Sequence, residues 1–274
     1  MLGALTLLLI AAPAALGSWL TPEHGGGSRN ADGIHTLYVI ALCIGAVIFV
    51  LVEGVLITSL IRFRKRRGGP EAAQIRGNTP LEVGWTLGAA AIVTLLAALT
   101  FVYLDDIKNP EASAAGSLRG EAGVQLASLD QPKVPGGKGL EIRVNGQQYL
   151  WRYDYPGKEQ VYSYTDMYVP VGTTVTLRIN AADVVHSWWI PKLGGKADAV
   201  PGHTNDTWFR INEPGTYVGQ CAELCGDGHA DMVARVIALP PDRYRTWYAR
   251  QAADIKDSQA KLSLARQIRG ESSP

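Results

Sequence analysis

The chain has 274 residues, 47% of them hydrophobic, and its formal net charge is +1. A nearly neutral chain lacks the basic surface that nucleic-acid binding requires, so no nucleic-acid partner is expected. Three cysteines are too few for a disulfide scaffold, and the length suffices for one compact domain together with membrane segments.

The N-terminal apolar run, Leu2 to Leu16, is too short to span a bilayer comfortably and contains Pro13. Small residues follow it, as they do at the end of a secretory leader. Residues 1–18 are therefore predicted to be a signal peptide. No Lys or Arg lies near Met1, which leaves a retained or interfacial helix as the alternative.

Two longer apolar stretches follow, from Ile34 to Ile61 and from about Val83 to Leu104. Each has the length of a membrane-spanning helix, so residues 33–104 are predicted to form a two-helix transmembrane hairpin in the cell membrane. Both termini are expected on the outer side, because basic residues favour the cytoplasmic face. The loop between the stretches carries six of them, against Arg29 alone before the first: Arg62, Arg64, Lys65, Arg66, Arg67 and Arg76.

The rest of the chain divides by composition. Residues 105–139 are rich in Gly, Ala, Ser and Pro and are predicted to be a linker or surface excursion. Residues 140–240 contain short alternating runs typical of an antiparallel β-sandwich. Residues 241–274 are predicted to form a C-terminal helix and tail. The predicted strands are 141–155, 160–169, 173–180, 184–190, 205–211, 215–221 and 231–238.

A glycine-flanked loop near the end of the β-region has the pattern C-x3-C-x3-H-x2-M, formed by Cys221, Cys225, His229 and Met232. Together with His186 it offers two thiolates, two imidazoles and a thioether, a set that suits copper used for electron transfer. Two alternatives are a Cys221–Cys225 disulfide and a zinc site, although zinc seldom takes a thioether. A blue copper site needs one thiolate, whereas two thiolates bridging two coppers would use every ligand.

Three segments carry a resemblance to a known family: His186-Ser187-Trp188-Trp189-Ile190-Pro191, the run from Lys196 to Gly202, and the run from Gly215 to Gly226. They closely resemble subunit II of the haem-copper cytochrome c oxidases, whose binuclear copper centre is called CuA. The resemblance implies a cupredoxin-like Greek-key barrel behind the membrane hairpin.

The resemblance also implies a ligand set. One copper would take His186 and Met232, and the other His229 and the backbone carbonyl of Glu223, with both thiolates bridging. The Glu223 carboxylate would bind Mg2+ shared with subunit I. The implied copper-binding residues are thus His186, Cys221, Glu223, Cys225, His229 and Met232.

Two further features match the family. The run from Asn145 to Tyr155 resembles its aromatic patch for cytochrome c, with Tyr149 and Trp151 as electron-input residues. Strand alternation predicts that these two side chains share a face. Glu82 matches a glutamate at the mouth of a proton pathway, but a glutamate at a helix start also stabilises the helix dipole.

The function implied is that of an electron-transfer subunit in a proton-translocating cytochrome c oxidase, an oxidoreductase. The chain would take electrons from cytochrome c and pass them to haem in subunit I, where oxygen becomes water, with subunit III as another partner. It has no oxygen site of its own. Three alternatives stay open: a CuA subunit of a nitric oxide reductase, a quinol oxidase subunit that has lost copper, and a membrane-anchored copper-binding module.

Overall fold

The computed structural model describes residues 28–64, 74–114 and 139–269. The predicted signal peptide, residues 1–18, lies outside them. The chain forms two compact units. Among the described residues, one unit contains the helical residues His35–Leu104, and the other combines residues 28–34 with those from Asp105 onward.

The first unit contains most of two apolar helices, α1 (Arg29–Arg62) and α2 (Thr79–Lys108). Both are long and apolar enough to cross a membrane, and their most apolar stretches are not buried by the rest of the protein. Such a surface is stable in lipid, where the helix satisfies its own backbone hydrogen bonds. The two predicted spans are confirmed as helices, each extended beyond its predicted limits.

Glu82 lies in the first turn of α2. Its Oε1 accepts a hydrogen bond from the Asn78 backbone N–H at 3.0 Å, while Asn78 Oδ1 accepts one from the Leu81 N–H at 3.3 Å. This reciprocal pair satisfies backbone donors that a helix start leaves free. The helix-stabilising role of Glu82 is therefore observed, and the proton-pathway role stays a prediction.

The second unit is a sandwich of two five-stranded sheets followed by a helix. The first sheet has the order β3-β2-β1-β5-β8 and the second the order β4-β10-β9-β6-β7. The elements are β1 (Leu140–Gln147), β2 (Leu150–Tyr155), β3 (Val161–Tyr164), β4 (Asp166–Pro170), β5 (Thr174–Ala181), β6 (His186–Trp189), β7 (Ala197–Ala199), β8 (Asn205–Arg210), β9 (Gly215–Cys221), β10 (Val233–Leu239) and α3 (Pro241–Arg269).

The core lies between the two sheets. Along β1 and β2 every second side chain is buried, as expected for strands with one face toward a core. Burial of these large apolar side chains supplies most of the favourable free energy of folding. The fully buried members include Ile142, Val144, Trp151, Tyr153, Leu177, Ile179, Met167 and Val236.

The structure differs from the predicted strands at two places near the metal loop. The strand predicted over 141–155 is a hairpin, because β1 ends at Gln147, which pairs with Leu150 across a two-residue turn. The strand predicted over 184–190 begins only at His186. Elsewhere the strand predicted over 160–169 divides into β3 and β4, and β7 was not predicted, so within the described residues the sandwich has ten strands where seven were predicted.

Helix α3 packs an aromatic face against the sandwich. The Trp247 ring stacks on Tyr168 with centroids 4.4 Å apart and meets Tyr155 edge-on at 5.0 Å. Tyr248 donates a hydrogen bond from its hydroxyl to the Pro156 carbonyl at 2.8 Å. The helix is anchored over the sandwich by these contacts.

Gly219 in β9 allows β9 and β6 to approach closely. A Cβ at this position would overlap the Trp189 carbonyl and come within 2.8 Å of Ile190 Cα. We expect Gly219→Ala to destabilise the full chain in detergent by about 1–3 kcal/mol, the usual effect of overpacking. The matched control Gly215→Ala, whose Cβ would meet only Tyr217 at 3.8 Å, should change stability by about 0.5 kcal/mol or less. Denaturant unfolding measures both, and equal effects would contradict the close-approach argument.

Candidate metal centre

The predicted ligands meet at one end of the second sheet. His186 is the first residue of β6, Cys221 is the last of β9, and Met232 immediately precedes β10. Strand β9 pairs with both neighbours, and Trp188 of β6 lies opposite Cys221. Sheet pairing thus fixes Cys221, opposite Trp188, and His186, opposite Ala199 of β7. The loop that follows Cys221 contains a short 3-10 turn at His229–Asp231 and closes over both residues.

Both cysteines of the loop are buried free thiols. Their Sγ atoms lie 3.9 Å apart. With His186 they form a cluster whose ligand atoms all lie within 4.8 Å of one another. Among residues 28–64, 74–114 and 139–269, this is the one cluster of three or more His, Cys, Asp or Glu ligand atoms at that closeness.

The remaining predicted ligands surround this pair of thiols. His186 Nδ1 is 3.9 Å from Cys221 Sγ, and His229 Nδ1 is 3.5 Å from Cys225 Sγ. The Glu223 carbonyl oxygen lies 3.2 Å from Cys221 Sγ, and Met232 Sδ lies 3.9 Å from Cys225 Sγ. All six predicted copper-binding residues therefore present a donor atom to the same small volume.

Burial shapes the chemistry of the thiols. Desolvation, followed by the neighbouring Cys221, raises the pKa of the Cys225 thiol to about 11. Thiolates are the metal-binding form, so this thiol must release a proton when a metal binds. A buried pocket with two adjacent thiols suits a soft cation.

His186 is fully buried and its orientation is fixed by two neighbours. Its Nε2 lies 2.9 Å from Asp183 Oδ1, which leaves Nδ1 facing the thiols. Gly146 makes room for the ring, since a Cβ there would be 3.0 Å from His186 Cδ2 and 3.1 Å from the Trp151 ring. Partial burial acts to raise the pKa of Asp183, but hydrogen bonds from the Gln148 N–H, His186 and the Val184 N–H outweigh it and lower that pKa.

Tyr149 and Trp151 do not share a face, so that prediction is wrong. Tyr149 lies in the β1–β2 turn with 37% of its surface exposed, whereas Trp151 lies within β2 and is fully buried. The turn interrupts the alternation on which the prediction depended. The Tyr149 ring covers the metal loop at Gly226 and Gly228, where an added Cβ would lie 2.6 Å from the Tyr149 hydroxyl and 2.5 Å from its ring, respectively. The Trp151 ring instead meets the His186 ring edge-on at 5.9 Å.

The sequence did not single out Gln148 and Asp183, which lie directly behind the predicted ligands. Gln148 Nε2 donates to the Cys225 carbonyl at 2.6 Å, and the Gln148 N–H donates to Asp183 Oδ2 at 2.7 Å. The position of Asp183, three residues before His186, was the available signal. The spacing is compatible with an ordinary turn, so it did not identify a site residue.

The chain is similar to known proteins over its two helices and over much of its sandwich. A model of the cytochrome c oxidase subunit II transmembrane domain matches residues 24–102, and one of the periplasmic domain of that subunit matches residues 160–239. Cytochrome c oxidase subunit 2 of Alkalihalophilus pseudofirmus is 32% identical over 239 residues, covering 85% of this chain and 63% of that protein.

Further similar proteins cover more of their own length. Cytochrome c oxidase subunit 2 of Thermostichus vulcanus is 32% identical over 84% of this chain and 79% of that protein, and that of Synechocystis is 30% identical over 93% and 85%. The crystal structure of the periplasmic domain of subunit II of cytochrome oxidase from Bradyrhizobium japonicum is 30% identical. It covers 43% of this chain and 96% of that chain with a TM-score of 0.41. Since the family matches span more than half of the sequence and these relatives align over most of their length, the chain belongs to the cytochrome c oxidase subunit II family.

Proposed function

We propose that this chain is the electron-accepting subunit of a membrane-bound cytochrome c oxidase, in which a binuclear copper centre receives electrons from reduced cytochrome c and delivers them to haem in subunit I. The observation that carries the proposal is the convergence of two buried free thiols with donor atoms of His186, His229, Met232 and the Glu223 carbonyl. Oxygen reduction and proton translocation would take place in the partner subunit.

The donor set fits a copper pair better than the alternatives. Thiolate, thioether and imidazole are ligands that copper accepts together, whereas zinc seldom takes a thioether. The two Sγ atoms lie side by side, each with an imidazole Nδ1 within 4 Å, as two bridging thiolates require. By the family resemblance, His186 and Met232 would bind one ion, and His229 and the Glu223 carbonyl the other.

The fold holds these donor atoms rigidly and shields them from water. A copper pair held by these residues would supply single-electron chemistry. Cys221 is fixed by pairing of β9 with β6, His186 by pairing of β6 with β7, and Met232 is fully buried beside β10. A rigid, water-poor ligand shell needs little rearrangement when its charge changes, which favours rapid transfer.

Electron delivery to subunit I and the magnesium site are both proposed at the solvent-exposed surface of the loop from Cys221 to Met232. The Glu223 carbonyl faces Cys221 Sγ, while the residue itself is exposed. The carboxylate is therefore available for Mg2+, which usually takes one or two protein carboxylates and completes its shell with other ligands. By the family resemblance those ligands would come from subunit I; among the described residues Glu223 belongs to no cluster of three or more His, Cys, Asp or Glu ligand atoms.

The proposed setting is the cell membrane, with α1 and α2 as the anchor and subunits I and III as neighbours. The basic residues between the helices favour the cytoplasmic side, which directs both termini and the sandwich outward. Glu82 at the cytoplasmic start of α2 would then lie at the level where protons enter the catalytic subunit.

Purification of the intact complex tests the copper centre. We expect two copper ions per copy of this chain in addition to the metals of the partner subunits, because the donor set holds a pair. One unpaired electron shared equally by two coppers should give seven hyperfine lines, or their unresolved envelope, in electron paramagnetic resonance. One copper per chain with a four-line signal would overturn the binuclear assignment, and the haem and metal content of the same sample tests whether the partner is an oxidase subunit.

A further inference from the structure

The turn between β1 and β2 contacts two separate parts of the metal centre through one residue. We propose that Gln148 is a positioning residue of the copper centre, which ties the Cys225 loop to the segment from Asp183 to His186. This inference rests on the proposed function for its copper readouts. One further readout, the accessibility of a thiol in the metal-free chain, does not depend on copper.

The contacts form one continuous path. The side-chain amide of Gln148 donates to the Cys225 carbonyl at 2.6 Å, and the backbone N–H of Gln148 donates to Asp183 Oδ2 at 2.7 Å. The other carboxylate oxygen, Oδ1, accepts from the Val184 N–H at 2.7 Å and lies 2.9 Å from His186 Nε2. Gln148 therefore joins the backbone of one thiol ligand to the partner of an imidazole ligand, across separations of 77 and 35 residues.

The two thiol ligands differ in how the fold holds them. Cys221 ends a strand, and its N–H donates to the Met232 carbonyl at 2.9 Å. Cys225 lies outside every strand, in the loop between β9 and β10. The sheet that fixes Cys221 does not reach Cys225, so the position of the second thiol depends on contacts from the β1–β2 turn.

Tyr149, the next residue in the turn, covers the same loop at Gly226 and Gly228. The turn thus holds the loop by a hydrogen bond from Gln148 and by ring packing from Tyr149. The Tyr149 contact does not extend to His186, whereas Gln148 is also connected through Asp183 to the His186 imidazole. The specific effect on ligand geometry is therefore assigned to the Gln148 side-chain amide.

Gln148→Met and Gln147→Met form a matched pair for the test. Methionine keeps the length of glutamine and leaves the backbone N–H to Asp183 in place, but it has no N–H donor for the Cys225 carbonyl. Gln147 is the preceding residue, and its amide donates to Asn145 Oδ1 at 3.0 Å, away from the loop. Gln148→Glu adds a third arm, since an ionised carboxylate of the same length accepts hydrogen bonds but cannot donate one.

We expect Gln148→Met and Gln148→Glu to lose copper to a chelator about tenfold faster than wild type, the usual effect of removing an outer partner of a metal ligand. Their electron paramagnetic resonance hyperfine pattern and reduction potential should also shift. In the metal-free full chain, iodoacetamide should label Cys225 faster relative to Cys221 than in wild type, as measured by mass spectrometry. Gln147→Met should match wild type in all four measurements.

Wild-type copper retention, spectrum and thiol labelling in both Gln148 variants would overturn the proposal. So would a loss of copper that is fully accounted for by a lower melting temperature of the metal-free chain, since that marks a general structural role. Absence of a binuclear copper signal from wild type would reject the proposed function instead. In that case the relative labelling of Cys225 still decides whether Gln148 holds the loop.

Discussion

Cys225→Ser and Cys221→Ser are each expected to abolish the binuclear copper signal of the purified complex. A serine hydroxyl is too hard and too weakly acidic to bridge two copper ions. The two thiols lie 3.9 Å apart at the centre of the donor set, so the remaining donors cannot compensate for the loss of either. Copper analysis and electron paramagnetic resonance should show at most one copper per chain and no seven-line pattern.

Cys43→Ser is the matched control for this result. Cys43 lies in α1, in the unit that does not contain the sandwich. The variant should retain both copper ions and the wild-type spectrum. A seven-line signal that survived in either Cys221→Ser or Cys225→Ser would show that the thiols do not bridge the metals, and a zinc or disulfide role for the loop would have to be reconsidered.

The metal loop was predictable because its ligands are close in sequence. Four donors fall within twelve residues, from Cys221 to Met232, at spacings that a short loop can fold around one point. The helices were predictable for a similar reason, since an apolar stretch of membrane-spanning length depends only on local composition. What these features share is that no distant residue is needed to recognise them.

The β1–β2 turn was not predictable from the usual turn residues. Gln148 and Tyr149 occupy it, and neither is a residue that favours tight turns. The nearest turn signal, Asn145-Gly146, lies within β1, where Gly146 makes room for His186 and Trp151. Because Gly146 serves close packing and not a turn, the predicted strand continued through Gln148 and Tyr149, which lie in the turn between β1 and β2.

The hydrogen bonds from Gln148 to Asp183 and Cys225 were not predicted, because they depend on the register of strand pairing. The partners of Gln148 lie 35 and 77 positions further along the chain. A single sequence gives the residue types at those positions but not which strand ends meet. Parallel pairing of β1 with β5 places Gly146 opposite Ala181, and this register brings the turn beside Asp183.

Tyr149→Ala is expected to slow electron transfer from reduced cytochrome c while leaving copper content unchanged, because the hydrogen bond from Gln148 to the Cys225 carbonyl still holds the metal loop. The side chain is exposed and covers the metal loop at Gly226 and Gly228, so it can contact a docked partner. Truncation of an aromatic anchor at a docking surface typically costs about 2 kcal/mol or more, which corresponds to roughly thirtyfold or greater slowing when cytochrome c is limiting. Transfer from copper to haem should not change, because the copper ligands lie on other segments.

Trp151→Ala is expected to act differently, through stability. The ring is fully buried and packs edge-on against His186, so its removal leaves a cavity beside a copper ligand. Truncation of a buried aromatic residue costs about 3–5 kcal/mol. The sandwich should therefore melt at a lower temperature and lose copper, and any slowing of electron transfer should follow from the missing metal.

Flash-photolysis kinetics, copper analysis and thermal melting of the two variants separate these outcomes. Tyr164→Ala serves as the control for loss of an exposed tyrosine, since Tyr164 lies at the end of β3 and is 49% exposed. It should keep wild-type kinetics and copper content. Because a relay through a buried ring does not require contact with the partner, slowed input in a copper-replete, stably folded Trp151→Ala would assign electron input to Trp151. Loss of stability in Tyr149→Ala without a selective defect at the cytochrome c step would reject Tyr149 as an electron-input residue.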